Sequence, residues 1–276
     1  DLKECLLVLQ RALLMAFSGG LLIIILQKPI LELSFLIIET SSETEYFARQ
    51  YFSIRIFAAP ASIGLFAFTG WFIGMQNAKT PMVVTIVINA LNILFNFLFV
   101  FGFAMKSDGV AWGTLIAQYC GLVFAVFFIF RYYKKLFKYK APEQLLRLDA
   151  IKHFFKVNAN IFIRMLAVIF VFSFFTTQSA KIGDTMLAVN TLLMQFLMFF
   201  SFLADGFAYA GEALVGKYIG AKDKDGLRLS VKWLFVWGIG IAGLFTAVYF
   251  FAGENILYLL TDNPDIISNA APYLIF

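Results

Sequence analysis

The sequence predicts an all-α, polytopic membrane protein, and three observations carry that prediction. Hydrophobic residues make up 61% of the chain and charged residues only 14%, with a mean hydropathy of +0.84. A soluble domain of 276 residues could not hide that much apolar surface behind one polar shell. The apolar residues, 35 Phe among them, fall in runs long enough to cross a bilayer core, which takes about 20 helical residues for about 30 Å. Those runs are continuous, whereas barrel strands alternate with period 2 over about ten residues. Helices are therefore the structure that satisfies the lipid-exposed backbone here.

Spans are expected at about 6–38, 50–74, 82–103, 109–130, 154–178, 185–215, 230–260 and 266–276, the last cut short by the chain end. The first carries Lys28 and Glu32 four apart near its outer end, an expected interfacial pair. The second holds Arg55, placed to snorkel outward, and Pro60, where a kink is expected. Its Gly70-x-x-x-Gly74 spacing suits close helix packing. The third carries Asn89, Asn92 and Asn96 on one stripe, either for interhelical hydrogen bonds or for lining a cation or substrate path. Gln76 before it and Gln118 in the fourth span complete that set. A looser polar set occupies the second half: Asn158, Asn160, Asn190, Gln178 and Gln195. The seventh span contains a second small-residue surface, Gly238 to Gly243.

Charges inside spans are costly and mark function by default. Arg164 lies about ten residues inside the fifth span. Asp205 lies about twelve residues from Lys217, some 15–18 Å deep at about 1.5 Å per residue. The short 179–184 turn makes an antiparallel hairpin of these two spans, so a fixed Arg164–Asp205 pair is one reading. An unpaired Asp205 with a raised pKa that couples transport to a proton or cation is the other. Glu212, seven residues on and on the same face, lies nearer the interface, where solvation explains it.

Lys and Arg collect on alternate connections. Segment 131–156 holds Arg131, Lys134, Lys135, Lys138, Lys140, Arg147, Lys152 and Lys156 against Glu143 and Asp149, and 217–232 holds Lys217, Lys222, Lys224, Arg228 and Lys232. The intervening connections are sparse or acidic. By the positive-inside rule, residue 1 and the 131–156 link are cytoplasmic and the protein sits in the cell (inner) membrane. The net charge of +5 thus reports topology; no nucleic-acid partner is expected, since no basic soluble face is assembled. Cys5 and Cys120 are isolated, with no disulfide expected at the cytoplasmic end and no metal-ligand spacing. His153 is expected to be a solvated interfacial histidine.

An internal repeat organises the chain. At an offset of 222 residues, the charged lead-in 1–5 falls on 223–227, one long apolar run falls on another, and the polar loop Glu39–Glu43 falls on Thr261–Asp265. Ala48-x-x-Tyr51 falls on Ala270-x-x-Tyr273. Completing both copies adds roughly 70 residues before residue 1 and roughly 75 after 276, giving two six-helix halves related by an axis along the membrane normal, a transporter architecture. The expected organisation is an N-lobe over 1–131 (helices 3–6 of 12), a cytoplasmic linker over 132–152, and a truncated C-lobe over 153–276 (helices 7–10).

Several motifs now resemble one family. Arg55-Ile-Phe-Ala-Ala-Pro-Ala61, Gly70-Trp-Phe-Ile-Gly-Met-Gln76, Asn89-Ala-Leu-Asn92-Ile, Gly109-Val-Ala-Trp-Gly-Thr114 and Ala117-Gln-Tyr119 resemble the MATE (multidrug and toxic compound extrusion) transporters. Asn160-Ile-Phe-Ile-Arg164, Leu187-Ala-Val-Asn190 and Asp205-Gly-Phe-Ala-Tyr-Ala-Gly-Glu212-Ala-Leu-Val-Gly216 are similar to its DinF-type branch. The resemblance implies a MATE-like two-lobe bundle and an antiporter that expels cationic or amphipathic compounds against H+ or Na+, needing no cofactor beyond that gradient. The family's fifth helix commonly reads Asn-x-x-x-Asp, whereas Asn96 stands at the acidic position here. The resemblance also implies a coupling acid in the family's first helix, which this sequence does not include; Asp205, Glu212 and Arg164 are the coupling candidates within it. Asn89, Asn92, Asn96, Gln76, Gln118, Asn160, Asn190, Gln195 and Arg55 are the cavity candidates. The expected form is a non-enzymatic monomer. A lipid-linked-precursor flippase of the same superfamily would need a markedly cationic cavity, for which Arg55 and Arg164 are thin support. A multi-span receptor or membrane enzyme would show no such repeat.

Overall fold

The computed structural model describes residues 2–37, 42–139, 145 and 147–275. Its helices are α1 (Leu2–Ile25), α2 (Gln27–Ile37), α3 (Ser42–Arg55), α4 (Ala59–Gly74), α5 (Lys79–Phe97), α6 (Ser107–Tyr133), α7 (Leu148–Ile182), α8 (Asp184–Gly220), α9 (Lys224–Leu260) and α10 (Pro264–Ala270). No strand occurs among the described residues. Seven described stretches are long and apolar enough to span a membrane: Leu2–Ile25, Glu45–Gly74, Lys79–Gly102, Ser107–Tyr139, Asn158–Ile182, Thr185–Gly220 and Lys224–Leu260. The all-α membrane fold is therefore as expected. From Pro264 the described residues form the seven-residue α10 and a 3₁₀ turn, Ala271–Ile275, within the stretch where the eighth span is expected.

The helices fall into two compact units, Asp1–Ile151 and Lys152–Phe276. In the first unit, α5 packs along α6, α1 along α4, and α3 along α6. Its apolar core joins Leu9, Leu65, Phe68, Trp71, Phe72, Val84, Ala125, Ile129 and Leu136. The indole N–H of Trp71 donates to the Cys5 carbonyl at 2.8 Å, so this core Trp buries no orphan donor. In the second unit, α8 packs on α9 and α10 around Val189, Phe196, Leu257, Ile267 and Ala270. The Tyr249 hydroxyl there donates to the Phe196 carbonyl at 2.7 Å.

Three expectations change on this scaffold. The interruption expected at Pro60 falls at the three residues just before Ala59. The second span breaks into α3 and α4 around a 3₁₀ turn, Ile56–Ala58, and Pro60 stands in the first turn of α4, where its missing N–H costs nothing. Glu32 is taken by Arg49 rather than Lys28: Arg49 Nη1 donates to Glu32 Oε1 at 2.7 Å, Nη2 to Oε2 at 3.2 Å, and Nε to Glu45 Oε1 at 2.7 Å. The planar guanidinium can hold two carboxylates in its fork. Finally, a methyl built on Gly70, Gly74, Gly238, Gly240 or Gly243 meets no described atom within 4 Å, so those small surfaces are not closely packed among the described residues.

The packed stripe lies on α6. Gly109, Gly113, Ala117, Gly121 and Ala125 recur every fourth residue and are all buried. A methyl on Gly113 would collide with Asn96 Oδ1, and one on Gly121 with Ile88. The same closeness joins α1 to α4, where a methyl on Gly20 would lie 2.5 Å from Pro60 Cα. Small residues let backbones approach where lipid supplies no hydrophobic drive.

Candidate functional site

In the first unit the Asn stripe divides. Asn96 Nδ2 donates to Asn92 Oδ1 at 3.2 Å. Asn92 Nδ2 donates to Thr114 Oγ1 at 2.9 Å, and that hydroxyl donates to the Val110 carbonyl at 2.9 Å. The result is a directed relay between α5 and α6, seated where Gly113 lets the two helices touch. Asn96 Oδ1 is buried without a hydrogen-bond partner. Just beyond Asn96, α5 runs into a turn of π-helix, Leu98–Gly102, with Phe103 N–H bonding the Leu98 carbonyl at 3.1 Å; such turns frequently mark functional sites. Asn89 stays exposed on α5, apart from the relay. Thr114 is the member that residue type alone did not single out. It stands next to Gly113, the α6 glycine that the fold sets against Asn96.

The other first-unit candidates are scattered. Gln76 lies in the turn after α4, about 20 Å along α5 from Asn92. There it holds φ +61° as the left-handed residue of a Schellman cap, with Gln76 N–H to the Ile73 carbonyl and Asn77 N–H to the Phe72 carbonyl, both at 2.9 Å. Gln118 is half-buried in α6. Its neighbour Tyr119 donates its hydroxyl to the Phe57 carbonyl at 2.9 Å, tying α6 to the α3–α4 break. Arg55 is half-buried at the end of α3 and takes no ion pair among the described residues.

In the second unit Asp205 lies near the middle of the 37-residue α8. Arg164, Asp205 and Glu212 are all exposed within their unit, and no ion pair among the described residues joins any of them. The possible Arg164–Asp205 pair is thus not made. From residue 159 to 178 every α7 residue but Phe172 is exposed. The two helices meet instead beside their shared turn, where Asn190 Nδ2 donates to the buried Ser179 hydroxyl at 2.7 Å. Gly183 makes that turn with φ +141°, a conformation that favours glycine. Asn160, Gln178 and Gln195 are exposed. The side chain of His153 lies outside the described residues.

The exposed face of α8 has a definite chemistry. Phe202, Asp205, Tyr209 and Glu212 follow at steps of three and four, so they share one side. Phe202 is 71% and Tyr209 51% exposed. A carboxylate between two aromatic faces, with a second carboxylate two turns away, suits an organic cation through charge and cation–π attraction. Apart from it, on another side of α8, an aromatic groove of about 350 Å³ runs between α8 and α9 past Phe196, Phe200, Phe245, Tyr249 and Tyr273. Among the described residues no three His, Cys, Asp or Glu converge as metal ligands.

Comparison with known proteins gives the following. The MatE family model matches residues 3–98 and 161–276. The chain is 34% identical over 279 residues to DNA damage-inducible protein F of Escherichia coli (strain K12), covering 97% of this chain and 58% of that protein. It is 26% identical to Protein DETOXIFICATION 42 of Arabidopsis thaliana, over 89% of this chain and 48% of that protein. It is 25% identical to Multidrug resistance protein NorM of Vibrio cholerae, over 82% of this chain and 50% of that protein. The chain thus spans about half the length of these relatives. Among solved structures, an outward-facing multidrug resistance MATE family transporter of the MOP superfamily superposes with a TM-score of 0.86 at 18% identity, over 98% of this chain and 60% of that one. A MOP superfamily transporter from Pyrococcus furiosus superposes with a TM-score of 0.85, also at 18% identity, over 99% and 62%.

Proposed function

This chain belongs to the MatE family, and we propose that the protein exports amphipathic organic cations across the membrane in exchange for H+ or Na+. The observation that carries the reading is the exposed α8 face on which Asp205 stands between Phe202 and Tyr209, near the middle of a helix long enough to span. Facing lipid, an ionised Asp there would be strongly disfavoured. Facing a water-filled path it serves as a cation site, and cation and proton then compete for one carboxylate, which is the basis of exchange. The relatives' names support the chemistry: they are called multidrug resistance and detoxification proteins.

The first unit takes a different part. Its relay of Asn96, Asn92 and Thr114 is neutral and cannot titrate, so it orders α5 against α6 and presents amide dipoles rather than a proton. Among the described residues the titrating candidate for exchange is Asp205 of the second unit.

The test is efflux of ethidium from cells or everted vesicles carrying the whole protein, wild type against Asp205→Asn, under proton and sodium gradients imposed separately. Efflux by wild type under one gradient, with the folded variant reduced at least about tenfold, supports the reading. Equal efflux from the variant removes Asp205 from coupling. No dye movement under either gradient overturns drug export in favour of another cargo, lipid-linked precursors first.

A further inference from the structure

The end of α6 and the 3₁₀ turn after it, Lys134–Tyr139, enclose a groove whose described lining includes none of the transport candidates. Arg131, Lys134, Lys135 and Lys138 line it together with Phe130 and Phe137, around about 740 Å³, within the roughly 300–1,000 Å³ of small-molecule sites. No acid lines it. All four cations are exposed, and none takes part in an ion pair among the described residues.

The scaffold under these charges is pinned. Leu136 is 6% exposed inside the first unit's core, Phe137 packs against that core, and the Phe130 and Phe137 rings stack with centroids 5.1 Å apart and planes 11° apart. In a turn with three residues per repeat, Lys135 and Lys138 lie one above the other, with Lys134 and Arg131 beside them. Four like charges held this way repel one another. The α6 C-terminal dipole offers only about half a negative charge, too little to account for four cations. An anion is what the arrangement lacks.

The surroundings indicate which anion. The groove closes the candidate span Ser107–Tyr139, so it sits where that helix leaves the bilayer. Phe130 and Tyr132 are 54% and 57% exposed, the aromatic level that marks an interface. Basic clusters directly beside a spanning helix attract anionic headgroups. The geometry points to a site for an anionic phospholipid of the leaflet that this end of α6 faces. The headgroup phosphate lies among Arg131, Lys134, Lys135 and Lys138, and an acyl chain runs along the Phe130–Phe137 stack. Arg131 supplies the fork that matches two phosphate oxygens, and the lysines act as point charges. This site does not depend on the cargo or the coupling ion.

The test uses the whole protein purified in detergent and native mass spectrometry. Dioctanoyl-phosphatidylglycerol is titrated against dioctanoyl-phosphatidylcholine, with inorganic phosphate as competitor. Each cation near an anionic headgroup is worth on the order of fivefold in affinity. The anionic lipid is therefore expected to bind at least about tenfold more tightly than the zwitterionic one. The triple variant K134Q/K135Q/K138Q loses at least about tenfold, and the triple Lys→Arg variant at the same positions stays within about threefold of wild type. The control K222Q/K224Q/R228Q removes as much charge from the α8–α9 turn and the start of α9 and leaves binding within about twofold. Equal binding of the two lipids by wild type overturns the proposal, and wild type alone settles that arm even if the Gln variant misfolds. Unchanged binding in a folded Gln triple, or an equal loss in the control, overturns it as well. Displacement of the lipid by millimolar inorganic phosphate assigns the site to a soluble anion and overturns the lipid.

Discussion

Gly113 shows how one missing side chain organises the first unit. Without a Cβ, α6 approaches α5 until Asn96 Oδ1 lies against the Gly113 backbone, and only then can Asn92 reach Thr114 at 2.9 Å. Gly113→Ala forces Asn96 aside and is expected to cost about 1–3 kcal/mol as overpacking, lowering the thermal unfolding midpoint of the purified protein and breaking the relay. Gly74→Ala, with nothing within 4 Å of the added methyl, is expected to leave the midpoint within experimental scatter; an equal loss at both positions would sink the packing account. The contrast explains why spacing misled. Gly70-x-x-x-Gly74 and the Gly113, Ala117, Gly121 stripe have the same period, and the difference lies in how close the partner comes: Ile88 and Asn96 press on the second stripe, whereas across a groove from α1 no described atom lies within 4 Å of a methyl on the first. Period identifies a small face but not what covers it. The Asn stripe was legible as polar groups needing partners inside an apolar span. Its division, with Asn89 left exposed, depends on Thr114, which sits on another helix and no local pattern marks.

At the scale of elements, helix existence was legible because apolar runs longer than about 20 residues leave the backbone no alternative in lipid. Breaks were not. The turn at Leu26, the 3₁₀ step before Pro60 and the π-turn after Asn96 are choices of hydrogen-bond partner that leave hydropathy unchanged. Helix ends are equally particular. Gln76 at φ +61° and Lys222 at φ +56° each occupy the left-handed position of a Schellman cap, where glycine avoids a Cβ penalty. Gln76→Gly and Lys222→Gly are each expected to stabilise by up to about 1 kcal/mol, read as a rise in unfolding midpoint, and a fall at both would refute the assignment. The α2–α3 link carries a pH dependence. Glu32, beyond the first candidate span, has its carboxyl held below its ordinary value of 4.5, first by hydrogen bonds from Arg49 and then by its charge. A depressed folded-state pKa gives stability that is complete above the unfolded value and lost as pH falls through the folded one. Wild type is therefore expected to exceed Glu32→Gln in stability at neutral pH, with the gap closing below about pH 4.5. A gap that stays constant down to pH 3 would show that the ion pair contributes nothing.

At the scale of the whole chain, direction in the membrane follows from charge and span count together. Two candidate spans, Asn158–Ile182 and Thr185–Gly220, separate the basic turn 134–139 from the basic turn 221–224, so both turns must lie on one side. One span separates each from an acidic or sparse connection: 103–106 before α6, Gly183 between α7 and α8, and 261–263 after α9. We propose that the basic turns face the cytoplasm, the arrangement in which these crossings satisfy the positive-inside rule. The expected outcome is concrete. With Cys5 and Cys120 replaced, single cysteines at Lys106 and Asp262 should react with an impermeant maleimide in intact cells, while those at Lys135 and Lys222 should react only after permeabilisation. Reversal of all four would invert the molecule, moving the phospholipid groove to the outer leaflet and turning the α8 cation face toward uptake rather than export. A split result, with Lys135 and Lys222 on opposite sides, would mean that one of α7 and α8 does not cross, leaving Asp205 without the membrane depth on which its role in exchange rests.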